Sequence, residues 1–123
     1  MSLVHDIGEA IAGDITPHCG VSDQTKFDLE SKAIETITSY VPETVGNDWS
    51  ELWREYEAAE TQTAIVVKHL DKFDMIVQAD KYEQKFGTDL TQFFTSTVGK
   101  LTLEPFASWD RELRENRQKR LSN

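Results

Sequence analysis

Apolar residues recur along almost the whole chain with the spacing of one helix face. Val4, Ile7 and Ile11 fall at i, i+3 and i+7, which predicts a first helix. Gly13 ends it, and Thr16-Pro17 blocks its continuation, so residues 13–23 read as a loop. A second helix is predicted from about Gln24 to Tyr40, with Phe27, Glu30, Ile34, Ile37 and Val41 near one stripe, stopping before Pro42. Trp49, Leu52, Trp53 and Tyr56, at i, i+3, i+4 and i+7, mark a third helix with Asn47 or Asp48 as its N-cap. A long fourth helix runs from about Thr63 to Phe86 and stops at Gly87, the usual residue just past a helix end. Phe93 and Phe94 lie on a short fifth helix. Pro105 suits the first turn of a sixth, which carries Trp109 and Leu113 inward. No stretch alternates apolar and polar residues convincingly, so no strand is predicted. The fold class is all-α, and without repeats or linkers residues 1–123 read as one domain.

Composition adds limits. At 38% hydrophobic residues and a mean hydropathy of −0.52, the chain reads as soluble with a lean core. No apolar run approaches the length that crosses a bilayer, and residues 1–20 lack the charged start and apolar stretch of a secretory signal. The lone Cys19 cannot close an internal disulfide, which points to a reducing, intracellular setting: the cytoplasm, with nuclear access open. A net charge of −9 argues against a nucleic-acid polymer as partner, but not against a small phosphorylated substrate, because a bound divalent cation dominates its local field. The charge is uneven. Arg111, Arg114, Arg117, Lys119 and Arg120 outnumber Glu112 and Glu115 at the C-terminal end, which reads as a solvated helix end complementing the helix dipole.

Three features carry candidate chemistry. His5-Asp6 lies within the first predicted helix, where an imidazole nitrogen and a carboxylate oxygen can both bind one divalent metal. Adjacent helical side chains diverge by roughly 100°, so both reach an ion only if it sits near the helix surface between them. Glu9, four residues after His5 and three after Asp6, lies on the same face. Its carboxylate there can orient or deprotonate a water. Asp71 lies inside the fourth helix between apolar Leu70 and Phe73, so part of its surroundings is expected to be buried, and a buried carboxylate needs a partner such as a metal. Each feature alone also has an ordinary reading, as a helix end, a solvated glutamate or a salt-bridged aspartate. His18-Cys19 lacks the second pair of a zinc site. His69 points about 200° around the helix from Asp71. Trp49, Trp53 and Trp109 read as core residues before base-stacking ones.

The run from Val4 to Pro17, Val-His-Asp-Ile-Gly-Glu-Ala-Ile-Ala-Gly-Asp-Ile-Thr-Pro, closely resembles the HD motif of the 5′-deoxynucleotidase (HD domain-containing protein 2-like) family of metal-dependent phosphohydrolases. Trp53-Arg54-Glu55-Tyr56-Glu57 is similar to the family's Leu-Trp-x-Glu-Tyr-Glu segment, and the Val67–Ala79 run to its Val-Lys-x-Leu-Asp helix. Phe93 to Lys100 also has a counterpart, so the resemblance runs from Val4 to about Arg117.

This resemblance implies an HD-domain helical bundle holding a divalent ion, Mn²⁺ or Co²⁺ with Mg²⁺ as a further candidate. Three of the family's four ligands match, at His5, Asp6 and Asp71. The implied reaction is attack of water on the 5′-phosphate of a deoxyribonucleoside monophosphate. Glu9 matches the carboxylate that positions or activates the water. Asp14 matches the carboxylate of the Gly-Asp element, which protonates the leaving oxygen or contacts the sugar. Lys68 is a weaker match for holding phosphate. The family's first metal-ligating histidine, and an arginine and a tryptophan that recognise phosphate and sugar, lie upstream of the matching segment. The resemblance therefore implies an N-terminally truncated domain, its C-terminal two-thirds, poorly active alone. The apolar faces left bare predict self-association as a homodimer. Two other readings stay open: an HD phosphohydrolase for a cyclic nucleotide or an alarmone, and a non-catalytic helical interaction module.

Overall fold

The protein, described by a computed structural model, is resolved into elements over residues 1–16 and 19–123. In chain order these are α1 Glu9–Ala12, α2 Asp23–Thr38, α3 Glu43–Ala58, α4 Gln62–Phe86, α5 Thr91–Ser96 and α6 Phe106–Leu121. No strand occurs among the described residues, as the apolar period predicts. No helix among them is long and apolar enough to cross a membrane. The chain divides into two compact units, Met1–Ile65 and Val66–Asn123. Of the expected loop, Pro17 and His18 lie outside the described residues.

In the first unit, residues 2–8 form consecutive turns rather than the regular helix expected there. The amides of Val4, Ile7 and Glu9 donate to the carbonyls three residues back, at 2.9, 3.0 and 2.9 Å. This tighter winding keeps a right-handed backbone, so the expected face survives in part: Val4 is buried and Ile7 half-buried, but Ile11 is exposed. Gly8 is buried against α2 at ordinary contact distance. A Cβ on it would stand 3.5 Å from the Glu30 carbonyl oxygen and 3.6 Å from the Ala33 Cβ.

Ser22 starts α2 by accepting the Thr25 amide at 3.1 Å, the usual way a serine satisfies an orphan helix donor. Ala33 and Ile34 are its buried residues, while Phe27, at 41% exposed, stacks on Trp53 with ring centroids 5.3 Å apart. The α3 helix begins one turn earlier than expected. Asn47 and Asp48 are interior residues, and Pro42 takes the N-cap position with ψ of 145°. Tertiary packing decides this: a Cβ on Gly46 would lie 2.8 Å from the Thr38 carbonyl oxygen, so only glycine lets the first turn of α3 approach α2 this closely. Trp53 and Tyr56 are buried, and Trp49 and Leu52 half-buried, as the stripe predicts. Ala59 ends α3 in the left-handed region at φ 53°. Thr61 then accepts the Ala64 amide at 3.2 Å and donates to Glu55 Oε1 at 2.7 Å.

In the second unit, α4 ends at Gly87, with φ 65°, as expected. Ile76, Ala79, Phe94, Leu101 and Phe106 form the core, with Leu113 among the residues packed around it. Pro105 is the N-cap of α6, and Glu104 accepts the Ser108 amide and hydroxyl at 3.3 and 2.7 Å. Trp109 departs from expectation. It is 47% exposed because Phe106, one turn earlier, takes the core place at 6% exposed; the two rings meet edge-on at 5.6 Å.

The basic end of α6 is also corrected in part. Arg117 grips Glu83 with two hydrogen bonds of 2.7 and 2.9 Å, donates to Thr91 at 2.8 Å, and lies 4.1 Å from the Phe94 ring centroid. Arg114 donates to the Phe94 carbonyl and to buried Thr97, and Arg120 reaches Asp80 and Glu83. These arginines tie α6 to α4 and α5 rather than standing in solvent.

Candidate functional site

The turns that open the first unit bring the expected pair together. His5 Nε2 lies 3.1 Å from Asp6 Oδ2, and the His5 side chain is 12% exposed against 51% for Asp6. The other ring nitrogen, Nδ1, lies 2.7 Å from the Ser2 carbonyl oxygen. A carbonyl only accepts, so Nδ1 carries a proton and donates it. On a neutral ring the lone pair then belongs to Nε2, the nitrogen facing the carboxylate. Two electron-rich atoms at this separation repel unless a proton or a cation lies with them. A histidine that gives one N–H to a backbone carbonyl and offers the other nitrogen beside a carboxylate has the arrangement of a metal ligand with its tautomer set by an outer partner. The residues present thus fit a divalent cation.

Glu9 is the first residue of α1 and is half-buried. Its amide donates to the Asp6 carbonyl at 2.9 Å, which sets it one tight turn beyond the pair. Asp14 is exposed, one residue past Gly13, whose φ of 78° redirects the chain out of α1. The Tyr56 ring stands against the His5 imidazole, with centroids 4.7 Å apart and planes tilted by 54°. In the sequence Tyr56 stands on the apolar stripe of the third helix and in the segment that resembles the family's Leu-Trp-x-Glu-Tyr-Glu. Its place in the Trp53 stripe gives no sign that it faces a candidate ligand.

In the second unit, Lys68 is half-buried and Asp71 exposed, both on α4. The burial expected for Asp71 from its apolar neighbours is not found, and Leu70 is itself 48% exposed. Successive helical residues face directions about 100° apart, so the polarity of a chain neighbour says little about a side chain's own surroundings. His69 has a different task. Its Nε2 accepts the amides of Thr102 and Leu103 at 3.3 and 3.2 Å, and its ring packs 5.6 Å from Phe106. It secures the segment before α6. Cys19 is exposed, and hydrogen bonds from Thr16 hold its thiol below the ordinary value; the His18-Cys19 pairing lies partly outside the described residues.

Comparison with known proteins agrees with this picture. The family described as HD domain matches residues 1–107. The 5′-deoxynucleotidase HDDC2 of Dictyostelium discoideum is 41% identical over 123 residues, covering 96% of this chain and 65% of the relative. The 5′-deoxynucleotidase hdd1 of Schizosaccharomyces pombe is 40% identical over 96% of this chain and 62% of its own length. Human 5′-deoxynucleotidase HDDC2 is 41% identical over 81% of this chain and 50% of its own length. The chain thus spans between one half and two thirds of these relatives. With a helical fold and a family match over most of its residues, the chain belongs to the HD domain family.

Proposed function

We propose that this chain carries the catalytic chemistry of a 5′-deoxynucleotidase, hydrolysing deoxyribonucleoside 5′-monophosphates to deoxynucleoside and phosphate. The carrying observation is identity of 40–41%, over 96% of this chain, to two proteins bearing that name. The oriented His5-Asp6 pair supports it. On this reading residues 1–123 act as one HD domain.

His5, Asp6 and Asp71 would hold the divalent cation, Mn²⁺ or Co²⁺, each offering one imidazole nitrogen or carboxylate oxygen. When bound, such an ion supplies a Lewis acid that offsets charge on the phosphoryl oxygens. Glu9, one tight turn from Asp6, accepts the proton of the attacking water as its oxygen bonds to phosphorus. The bond from phosphorus to the sugar 5′ oxygen breaks, and the leaving oxygen takes up a proton, so that one water is consumed. Asp14, exposed beyond α1, either supplies the proton to the leaving oxygen or accepts a hydrogen bond from the sugar. Lys68 steadies the phosphate as a point charge.

The reading extends to the assembly and its setting. The chain works as a homodimer in the cytoplasm, with access to the nucleus. The apolar side chains of Leu3 and Ile11, 94% and 56% exposed, support self-association.

Phosphate release from dAMP and AMP under Mn²⁺ or Co²⁺ tests the activity. Release that favours dAMP and disappears in Asp71→Ala is expected. Equal release from AMP, or an unaffected variant, overturns the reading, and turnover of cyclic nucleotides alone moves the chain to another HD phosphohydrolase.

A further inference from the structure

We infer that Tyr56 is a positioning residue for His5: its ring holds the imidazole in the tautomer that keeps the proton on Nδ1 and presents Nε2 to the Asp6 carboxylate. For its consequence on metal binding, the inference rests on the reading of His5 as a ligand. For the orientation itself, it rests on the first unit alone.

Asp6 Oδ2 lies 3.1 Å from His5 Nε2, and two further contacts bear on which way the ring faces. One is the Nδ1–H bond to the Ser2 carbonyl at 2.7 Å, closed within the opening turn. The other is the Tyr56 ring, 4.7 Å between centroids and tilted by 54°. A hydrogen bond within such a turn does not by itself keep a ring from rotating, because water competes for both partners. The aromatic wall changes this. Tyr56 is 7% exposed, and the imidazole beside it is 12% exposed. A half-turn of the imidazole would carry Nδ1 away from Ser2 and leave a carbonyl and an N–H to be solvated where water has little access. Tyr56 is itself held firmly. It lies on the buried face of α3, one turn after Trp53, which is 3% exposed and stacks on Phe27. The rigid α2–α3 pair therefore sets the direction of a nitrogen carried by a short, irregular segment. A ligand oriented in advance loses less side-chain freedom when it binds.

The test compares the whole chain with Tyr56→Phe and Tyr56→Leu, and with Tyr56→Met should the leucine variant fail to fold. The ring nitrogens of His5 are observed by ¹⁵N NMR on the neutral, metal-free protein, assigned with His5→Gln. The chain has 3 histidines, so the spectrum is simple. Wild type and Tyr56→Phe are expected to show the Nδ1–H tautomer alone, because the ring and not the hydroxyl sets the orientation. Tyr56→Leu, or Tyr56→Met, is expected to show both tautomers. Mn²⁺ affinity should fall by about tenfold in that variant, within the range for losing an outer partner of a ligand, and stay near wild type in Tyr56→Phe. Phe94→Leu, a core change in the other unit, controls for general loss of stability and should leave the tautomer unchanged.

A mixed tautomer in wild type or in Tyr56→Phe overturns the inference, as does a single Nδ1–H tautomer in the folded leucine or methionine variant. Failure of the underlying reading looks different: the tautomer responds to Tyr56 as expected, but Mn²⁺ binds His5→Gln as tightly as wild type.

Discussion

Single residues in this chain often carry a role that their type alone conceals. His5 and His69 are both histidines near apolar neighbours, yet His5 gives its Nδ1 proton to a carbonyl and turns Nε2 toward a carboxylate, whereas His69 uses Nε2 to accept two backbone amides. The sequence separates them only by the Asp that follows His5. Ala59 is another case. It ends α3 at φ 53°, a left-handed conformation in which its Cβ crowds the following carbonyl. Glycine has no such conflict, so Ala59→Gly is expected to stabilise the protein by about 1 kcal/mol, less a few tenths for the freer unfolded chain. Urea denaturation measures it. A variant less stable than wild type would mean that the methyl group contributes more by packing than it costs in backbone strain.

At the scale of elements, the helices were legible wherever local chemistry sets their ends. Gly87 and Pro105 mark boundaries that the structure places within a residue or two of expectation, and α2 begins one residue before the Gln24 expected. One clear departure has a tertiary cause: the early start of α3 depends on Gly46 against Thr38. In the other, residues 2–8 wind as turns closed by amide bonds to carbonyls three residues back. The α6 helix shows the same division. Its arginines are visible in the sequence, but their partners on α4 lie more than thirty positions away. Glu83 is the centre of that set, with its side chain 7% exposed. The Arg117 hydrogen bonds, opposed by desolvation and aided by the Leu90 amide and the charge of Arg120, hold its carboxyl below the usual range. A carboxyl with a depressed folded pKa takes up protons more readily in the unfolded chain. Its stabilisation is therefore full above the ordinary glutamate value of about 4.3 and is lost as pH falls through the lower folded value. Glu83→Gln should cost about 3 kcal/mol at pH 7 by leaving Arg117 without its charged partner. The loss should shrink toward pH 3 in urea titrations. A penalty equal at both pH values would show that the charge of Glu83 contributes nothing.

Across the molecule, the apolar positions left on the outside matter most for assembly. Leu3 and Ile11 belong to the same opening segment that carries His5 and Asp6, and both are largely exposed. Sedimentation velocity at tens of micromolar is expected to show a dimer that dissociates when both are changed to glutamate. A wild type that is monomeric throughout removes the proposed homodimer. What the sequence determined by itself is the all-α class and most helix ends, because a 3.6-residue period and the glycine and proline at helix boundaries are local properties of the chain. What tertiary structure alone decided is which faces those helices bury, which charges are structural, and how the His5 ring is aimed. Those outcomes depend on contacts between residues far apart in sequence, as when Tyr56 meets His5 and Arg117 meets Glu83, and no local pattern encodes them.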